Sequence, residues 1–129
     1  MNEHDFTKLI PDIERVIEDC KYELYSRNWY DICLYQKLSE SFIEKMAWRV
    51  NWPLISENQT LSEYFVEKWK DSLNWKYLSR NEHMQWNQFS EQFFENNIKY
   101  FNLEEMNKKR PFSKEFCKKH NLDSRWLND

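Results

Sequence analysis

The sequence predicts an all-α protein: a short helical-repeat array of about four helix-pair units behind an N-terminal capping helix. Three observations predict it. Asn-Trp dipeptides stand at Asn28-Trp29, Asn51-Trp52 and Asn74-Trp75, each 23 residues after the last, and self-similarity at a fixed period is the signature of stacked supersecondary units. The neighbours recur as well. Residues 29–45 align without gaps on residues 52–68, matching at Trp29/Trp52, Ile32/Ile55, Gln36/Gln59, Leu38/Leu61, Ser39/Ser62, Glu40/Glu63, Phe42/Phe65, Glu44/Glu67 and Lys45/Lys68. Finally, the chain contains no glycine, which argues against a sheet of tight hairpins.

The elements follow in order. In residues 5–27 Pro11 suits a first helical turn, and Ile13, Val16, Ile17, Cys20 and Leu24 form one apolar stripe, so a capping helix is expected. The units then span 28–50, 51–73, 74–101 and 102–126. Each reads as two short helices. Trp52, Ile55, Ser56 and Gln59 occupy one face of the first; Leu61, Phe65, Val66, Trp69 and Leu73 line the second, with Glu63, Glu67, Lys68 and Lys70 turned outward. Ser62 is a natural N-cap because its hydroxyl can accept from an orphan first-turn amide, and Glu63 suits the dipole there. Asn74 is expected to end its helix in the left-handed conformation usually given to glycine. The third unit keeps Leu78, Ser79 and Glu82 in register, then carries five extra residues around Met84–Gln88. Phe89-Ser90-Glu91 and Phe112-Ser113 resume the pattern, and Leu103 replaces the Trp of the fourth unit. A pair of short helices cannot bury its apolar face alone, so neighbours must stack, and residues 1–129 are expected to form one domain.

Gln36, Gln59 and Glu82 fall on the apolar face, where an unpaired amide costs about 1–3 kcal/mol. Each is therefore expected to bond backbone at the turn between its helices or on the neighbouring unit. Aromatics make up 18% of the residues, including seven Trp. Burying one removes about 150–250 Å² from water, so Trp29, Trp52 and Trp75 read as core. Trp48, Trp86 and Trp126 lie off the repeat register, and Trp48 and Trp86 are candidate partner contacts, since an exposed Trp marks a binding hot spot.

Composition excludes several chemistries. Without glycine there is no phosphate-binding loop, dinucleotide fingerprint or nucleophile elbow. Cys117 and His120 have a metal-like spacing but no second pair completes four ligands, so no metal is expected. A Cys-His nucleophile would need a further base and an oxyanion hole, and neither is signalled. Glu40/Glu63/Glu91 and Glu44/Glu67/Glu95 recur because the helix surface recurs, whereas catalytic residues are normally singular in an array. No catalytic residue and no cofactor are expected. Cys20, Cys33 and Cys117 read as buried free thiols of a reducing compartment. No run is apolar enough to span a bilayer and no signal peptide opens the chain, which together point to the cytosol of the host cell and no membrane contact.

Charge is polarised. Residues 106–126 carry a local balance of +5 within a chain of net −3. Lys108, Lys109, Arg110, Lys114, Lys118 and Lys119 form the candidate basic patch, suited to an acidic protein surface or, less favourably beside an acidic body, to direct nucleic-acid binding. Glu40, Glu44, Glu63 and Glu67 form the candidate acidic repeat face.

The pattern Trp-x-x-Ile-Ser-x-x-Gln-x-Leu-Ser-Glu-x-Phe, carried best by Trp52 to Asn74, resembles short Trp-centred helical repeats of uncharacterised proteins from large DNA viruses and phages. The resemblance covers roughly 29–117 and brings no catalytic residues with it; it implies a viral or mobile-element setting. In that setting the expected function is non-catalytic: steric blocking of a host defence protein or nucleoprotein complex, as an anti-CRISPR protein does. The acidic face would compete there for a basic nucleic-acid groove. Two alternatives belong to other classes. One is a nucleotide or small-ligand sequestering protein with pockets near Lys108, Arg110 and Trp86; the other is a self-associating structural module.

Overall fold

The computed structural model describes residues 4–123. Among them every regular element is helical and no strand occurs. The chain divides into two compact bodies, Met1–Met84 and Gln85–Asp129, parting within the five extra residues noted above.

The N-terminal body contains α1 (Ile13–Cys20), a 3₁₀ turn at Lys21–Glu23, α2 (Ser26–Tyr35), α3 (Glu40–Lys45), α4 (Trp52–Asn58), α5 (Glu63–Lys68) and α6 (Trp75–Ser79). α4 packs on α2 and on α6. The predicted stripes supply much of the core: Ile17, Trp29, Ile32, Ile55, Phe65, Val66 and Leu78 are essentially removed from water, joined by Ile43 and Met46, whereas Cys20, Trp52 and Trp69, also expected inside, are only half-buried. Each fully buried side chain contributes about 1.5–3 kcal/mol, which is how helices of five to ten residues hold, far below the length stable alone. Ser62 caps α5 as expected, accepting from Phe65 N, and Ser39 caps α3 in the same way by accepting from Phe42 N.

The asparagines depart from the expectation. Asn74 has φ −94° and ψ 106° and caps the start of α6, its side chain accepting from Tyr77 N at 3.0 Å. Asn51 does the same for Leu54 N. The Asn-Trp dipeptide is thus a start signal, in which a short side chain satisfies a first-turn amide. The preceding helix ends without positive φ, a conformation that among the described non-glycine residues only Asn121 adopts. Asn28 differs because α2 begins a turn earlier, and its side chain accepts from Tyr25 N instead. Pro11 lies just outside α1, before the N-cap residue Asp12.

The buried amides donate to backbone carbonyls of the segment that precedes their own. Gln36 donates to Phe6 O and Lys8 O and accepts from Ile10 N. Gln59 donates to Cys33 O (3.1 Å) and Gln36 O (2.7 Å) and accepts from Leu38 N (2.9 Å). The third rung is Asn81, which donates to Ser56 O and Gln59 O and accepts from His83 N. The expected Glu82 is exposed. An ionised carboxylate has no proton for two carbonyls, so the amide one residue earlier takes the position.

The C-terminal body contains a 3₁₀ turn at Trp86–Gln88, α7 (Glu91–Asn96), a 3₁₀ turn at Ile98–Tyr100, α8 (Leu103–Lys109) and α9 (Lys114–Lys119). Its core is phenylalanine-rich, with Phe93, Phe94 and Phe112 at most 1% exposed. Phe94 meets Phe93, Phe101 and Phe112 edge-on at 5.1–5.2 Å between ring centres, the geometry aromatic quadrupoles favour. Asn102, Ser90 and Ser113 cap the three helices.

Candidate protein-binding surface

Glu40 and Glu44, proposed from sequence as outward contacts, are engaged within the chain. The Glu40 carboxylate accepts from Ser62 N at 2.6 Å and from the Ser62 hydroxyl at 3.0 Å. It therefore sits at the positive end of α5 and secures the residue that caps it. Glu44 accepts from Trp69 Nε1 at 2.9 Å and pairs with Lys68 at 3.1 Å. The Trp69 hydrogen bond, then Lys68, holds its carboxyl below the ordinary carboxylate range. Both acids thus grip the segment that follows. The same arrangement is built by Glu14, which accepts from Ser39 N and Oγ, and by Glu18, which pairs with Lys45 at 3.3 Å. In the C-terminal body Glu91 accepts from Ser113 N and Oγ, while Glu95 meets His120 Nε2 at 2.7 Å and Lys119 at 3.2 Å. Sequence reading missed Glu14 and Glu18 because the capping segment lies outside the alignable repeat. Glu63 and Glu67 stand at the corresponding positions of α5 and are half-buried.

The two Trp candidates separate. Trp86 is 4% exposed and packs against Phe89, Phe94 and Phe101 at 4.9–6.0 Å. It is a core residue of the C-terminal body and offers no surface. Its off-register position reflects the extra residues, whose 3₁₀ turn carries the ring into the core. Trp48 is 59% exposed and stacks on Tyr22, itself 84% exposed, at 6.2 Å and 27° between ring planes. Tyr22 comes from the 3₁₀ turn after α1 and Trp48 from the turn after α3, so the pair joins two segments. Lys21 Nζ lies 5.3 Å from the Tyr22 ring centre and is held by Glu18 at 3.1 Å; the same carboxylate holds Lys45. Tyr25, three residues beyond Tyr22 in the chain, is 69% exposed. Tyr22 carries no repeat signal, and sequence reading passed over it. Trp126 lies outside the described residues.

The basic residues separate too. Arg110 is not a patch residue. Its side chain is 10% exposed and pairs with Glu91 at 3.5 Å; it donates to Phe89 O at 3.1 Å and lies over the Phe112 ring at 4.7 Å. Counting from Leu103, Arg110 occupies the place that Gln36 and Gln59 hold after Trp29 and Trp52, and that register was the signal for its burial. Lys108, Lys109, Lys114, Lys118 and Lys119 are exposed. Lys119 pairs with Glu95 and Lys108 with Glu105.

Cys117 and His120 do not converge. The Cys117 thiol is buried toward Asn107 and Phe112 O, while the His120 ring turns to Glu95. Among the described residues no three His, Cys, Asp or Glu side chains gather to hold a metal ion, and no helix is long and apolar enough to cross a membrane. Cys33 takes the place of Ser56: its sulfur accepts from Asn51 N as the Ser56 hydroxyl accepts from Asn74 N. Burial pushes the Cys33 thiol up to about 11, so it carries little thiolate and is a poor nucleophile at neutral pH. No known protein family, curated protein or solved structure significantly matches the chain.

Proposed function

We propose that this chain is a non-catalytic protein-binding module, built as an array of helix-pair repeats of about 23 residues, with the Trp48–Tyr22 pair as its anchor. The single observation that carries the reading is that stacked, exposed pair. Trp and Tyr dominate interface hot spots, and two rings already stacked lose little rotamer freedom when a partner covers them. The flanking Lys21–Glu18–Lys45 triad is ordered by its own ion pairs and supplies a polar rim. The repeats contribute rigidity: within the N-terminal body the amide rungs of Gln36, Gln59 and Asn81 and the clamps of Glu14, Glu18, Glu40 and Glu44 tie successive segments together, so the anchor stands on a fixed support.

The resemblance to viral and phage repeats extends the proposal to steric blocking of a host defence protein or nucleoprotein complex. Because Glu40 and Glu44 are spent on internal clamps, the aromatic pair replaces the acidic face as the proposed contact. The test is capture from host lysate at physiological salt with nuclease present, using wild-type and W48A/Y22A baits in parallel. A stoichiometric protein held by the wild type and lost from the double variant supports the reading. Equal retention by both baits, or no protein on either, refutes it.

A further inference from the structure

The acidic clamp positions recur along the chain as pairs one helical turn apart: Glu14/Glu18, Glu40/Glu44, Glu63/Glu67 and Glu91/Glu95. In each of the first, second and fourth pairs the leading carboxylate accepts from the backbone N–H and hydroxyl of a Ser N-cap in the following segment. The trailing carboxylate pairs with a Lys of that same segment, Lys45, Lys68 or Lys119. A clamp therefore presents negative charge to a positive counterpart: the amino end of a helix and an ammonium. In α9, the last helix among the described residues, both positions are inverted. Counting from the cap residue Ser113, the places of Glu40 and Glu44 after Ser39 are taken by Lys114 and Lys118. Both are exposed.

This inversion has two consequences. A segment of the same design would bring its helix amino end and its Lys against two ammonium groups, so this face of α9 disfavours the clamp contact that the other helices make. The same geometry complements the opposite charge. Residues four apart on a helix stand about 5–6 Å apart on one face, so Lys114 and Lys118 match two carboxylates one turn apart on a partner helix. Lys108 on α8 is offset by its ion pair with Glu105, and Glu115, one residue along α9 from Lys114, lies about 100° round the helix from that row.

We propose that the Lys114–Lys118 face of α9 is a docking surface for an acidic helical segment of a protein partner, a contact separate in chemistry from the aromatic anchor. Its occupant carries Glu or Asp at positions i and i+4. Attraction of this kind acts mainly on encounter rate and register and weakens with salt.

The test is fluorescence anisotropy with the full chain and a labelled helical peptide bearing Glu at i and i+4. The controls are the same peptide with Gln and a single-stranded oligo-dT. The expected result is binding of the Glu peptide at low salt, about tenfold or more weaker for the Gln peptide, and weakened by added salt. K114E/K118E abolishes it and K114Q/K118Q weakens it, while K70E/K76E in the N-terminal body leaves it within about twofold; far-UV circular dichroism checks that each variant is folded. Binding that is indifferent to both Lys114/Lys118 variants, no preference for Glu over Gln, or tighter binding of oligo-dT than of the Glu peptide would overturn the proposal.

Discussion

Replacing Gln59 by Ala removes the middle rung of the amide ladder, and its cost can be worked from the structure. Gln59 is 3% exposed and makes three hydrogen bonds, donating to Cys33 O and Gln36 O and accepting from Leu38 N. At about 1 kcal/mol net per hydrogen bond, the loss is about 3 kcal/mol. It is larger if water cannot reach the stranded backbone groups, because each unsatisfied group costs about 1–3 kcal/mol. For a chain of this size that lowers the melting temperature by about 10 °C. The assay is urea unfolding followed by far-UV circular dichroism, with amide exchange read at Leu38. Gln59→Glu sharpens the test. Once ionised it accepts but cannot donate, leaving two carbonyls facing a carboxylate, so Q59E is less stable than the wild type by more at neutral pH than in acid. Exposed Gln92→Ala serves as the surface comparison. A loss below about 1 kcal/mol for Q59A, or unchanged exchange at Leu38, refutes the claim that the ladder carries the packing of successive segments.

The acid limb of the stability curve should come from the clamps: Glu18, Glu44 and Glu95 are held below their ordinary values, chiefly by hydrogen bonds from Lys21, Trp69 and His120 respectively. Stability from a depressed carboxylate is present above its unfolded-state pKa and lost as pH falls through the folded value, so E44Q lowers stability at pH 7 and narrows its gap to the wild type toward pH 3 in parallel denaturation curves. Arg110→Ala removes the ion-pair partner of Glu91 and the guanidinium donor to Phe89 O; with Arg110 nearly buried and Glu91 about a third exposed, the C-terminal body should lose about 2–3 kcal/mol, and R110K recovers only part because an ammonium cannot reproduce the fork. C33S should be tolerated within about 1 kcal/mol, since Ser56 makes the equivalent bond to Asn74 N, and the native Cys33 thiol should react with a thiol reagent only as fast as the protein opens.

Much of the fold was legible because local chemistry and global packing agree at the same residues. Ser62 announced a helix start, and Gln36 and Gln59 announced polar groups that had to be paired. The misreadings have physical reasons. Asn74 is equally suited to end one helix or start the next, and only the backbone angles distinguish the two. Glu40 and Glu44 look like solvated surface in sequence because their partners, Ser62 and Lys68-Trp69, lie 22 to 25 residues away. Arg110 was grouped with its charged neighbours, although its register from Leu103 placed it in the core. Trp86 and Trp48 are indistinguishable by periodicity; what separates them is a phenylalanine cluster around one and a single tyrosine beside the other. Tyr22 sits in a capping segment with no sister copy, so nothing in the repeat pointed to it.

The central claim is that a protein partner docks on the Trp48–Tyr22 surface. Hydrogen–deuterium exchange of the chain with and without its captured partner tests this most directly, because it reports the footprint without altering a residue. Partner-dependent protection is expected to concentrate in residues 20–26 and 45–50. Unchanged exchange in both segments, with protection elsewhere in the chain, would contradict it.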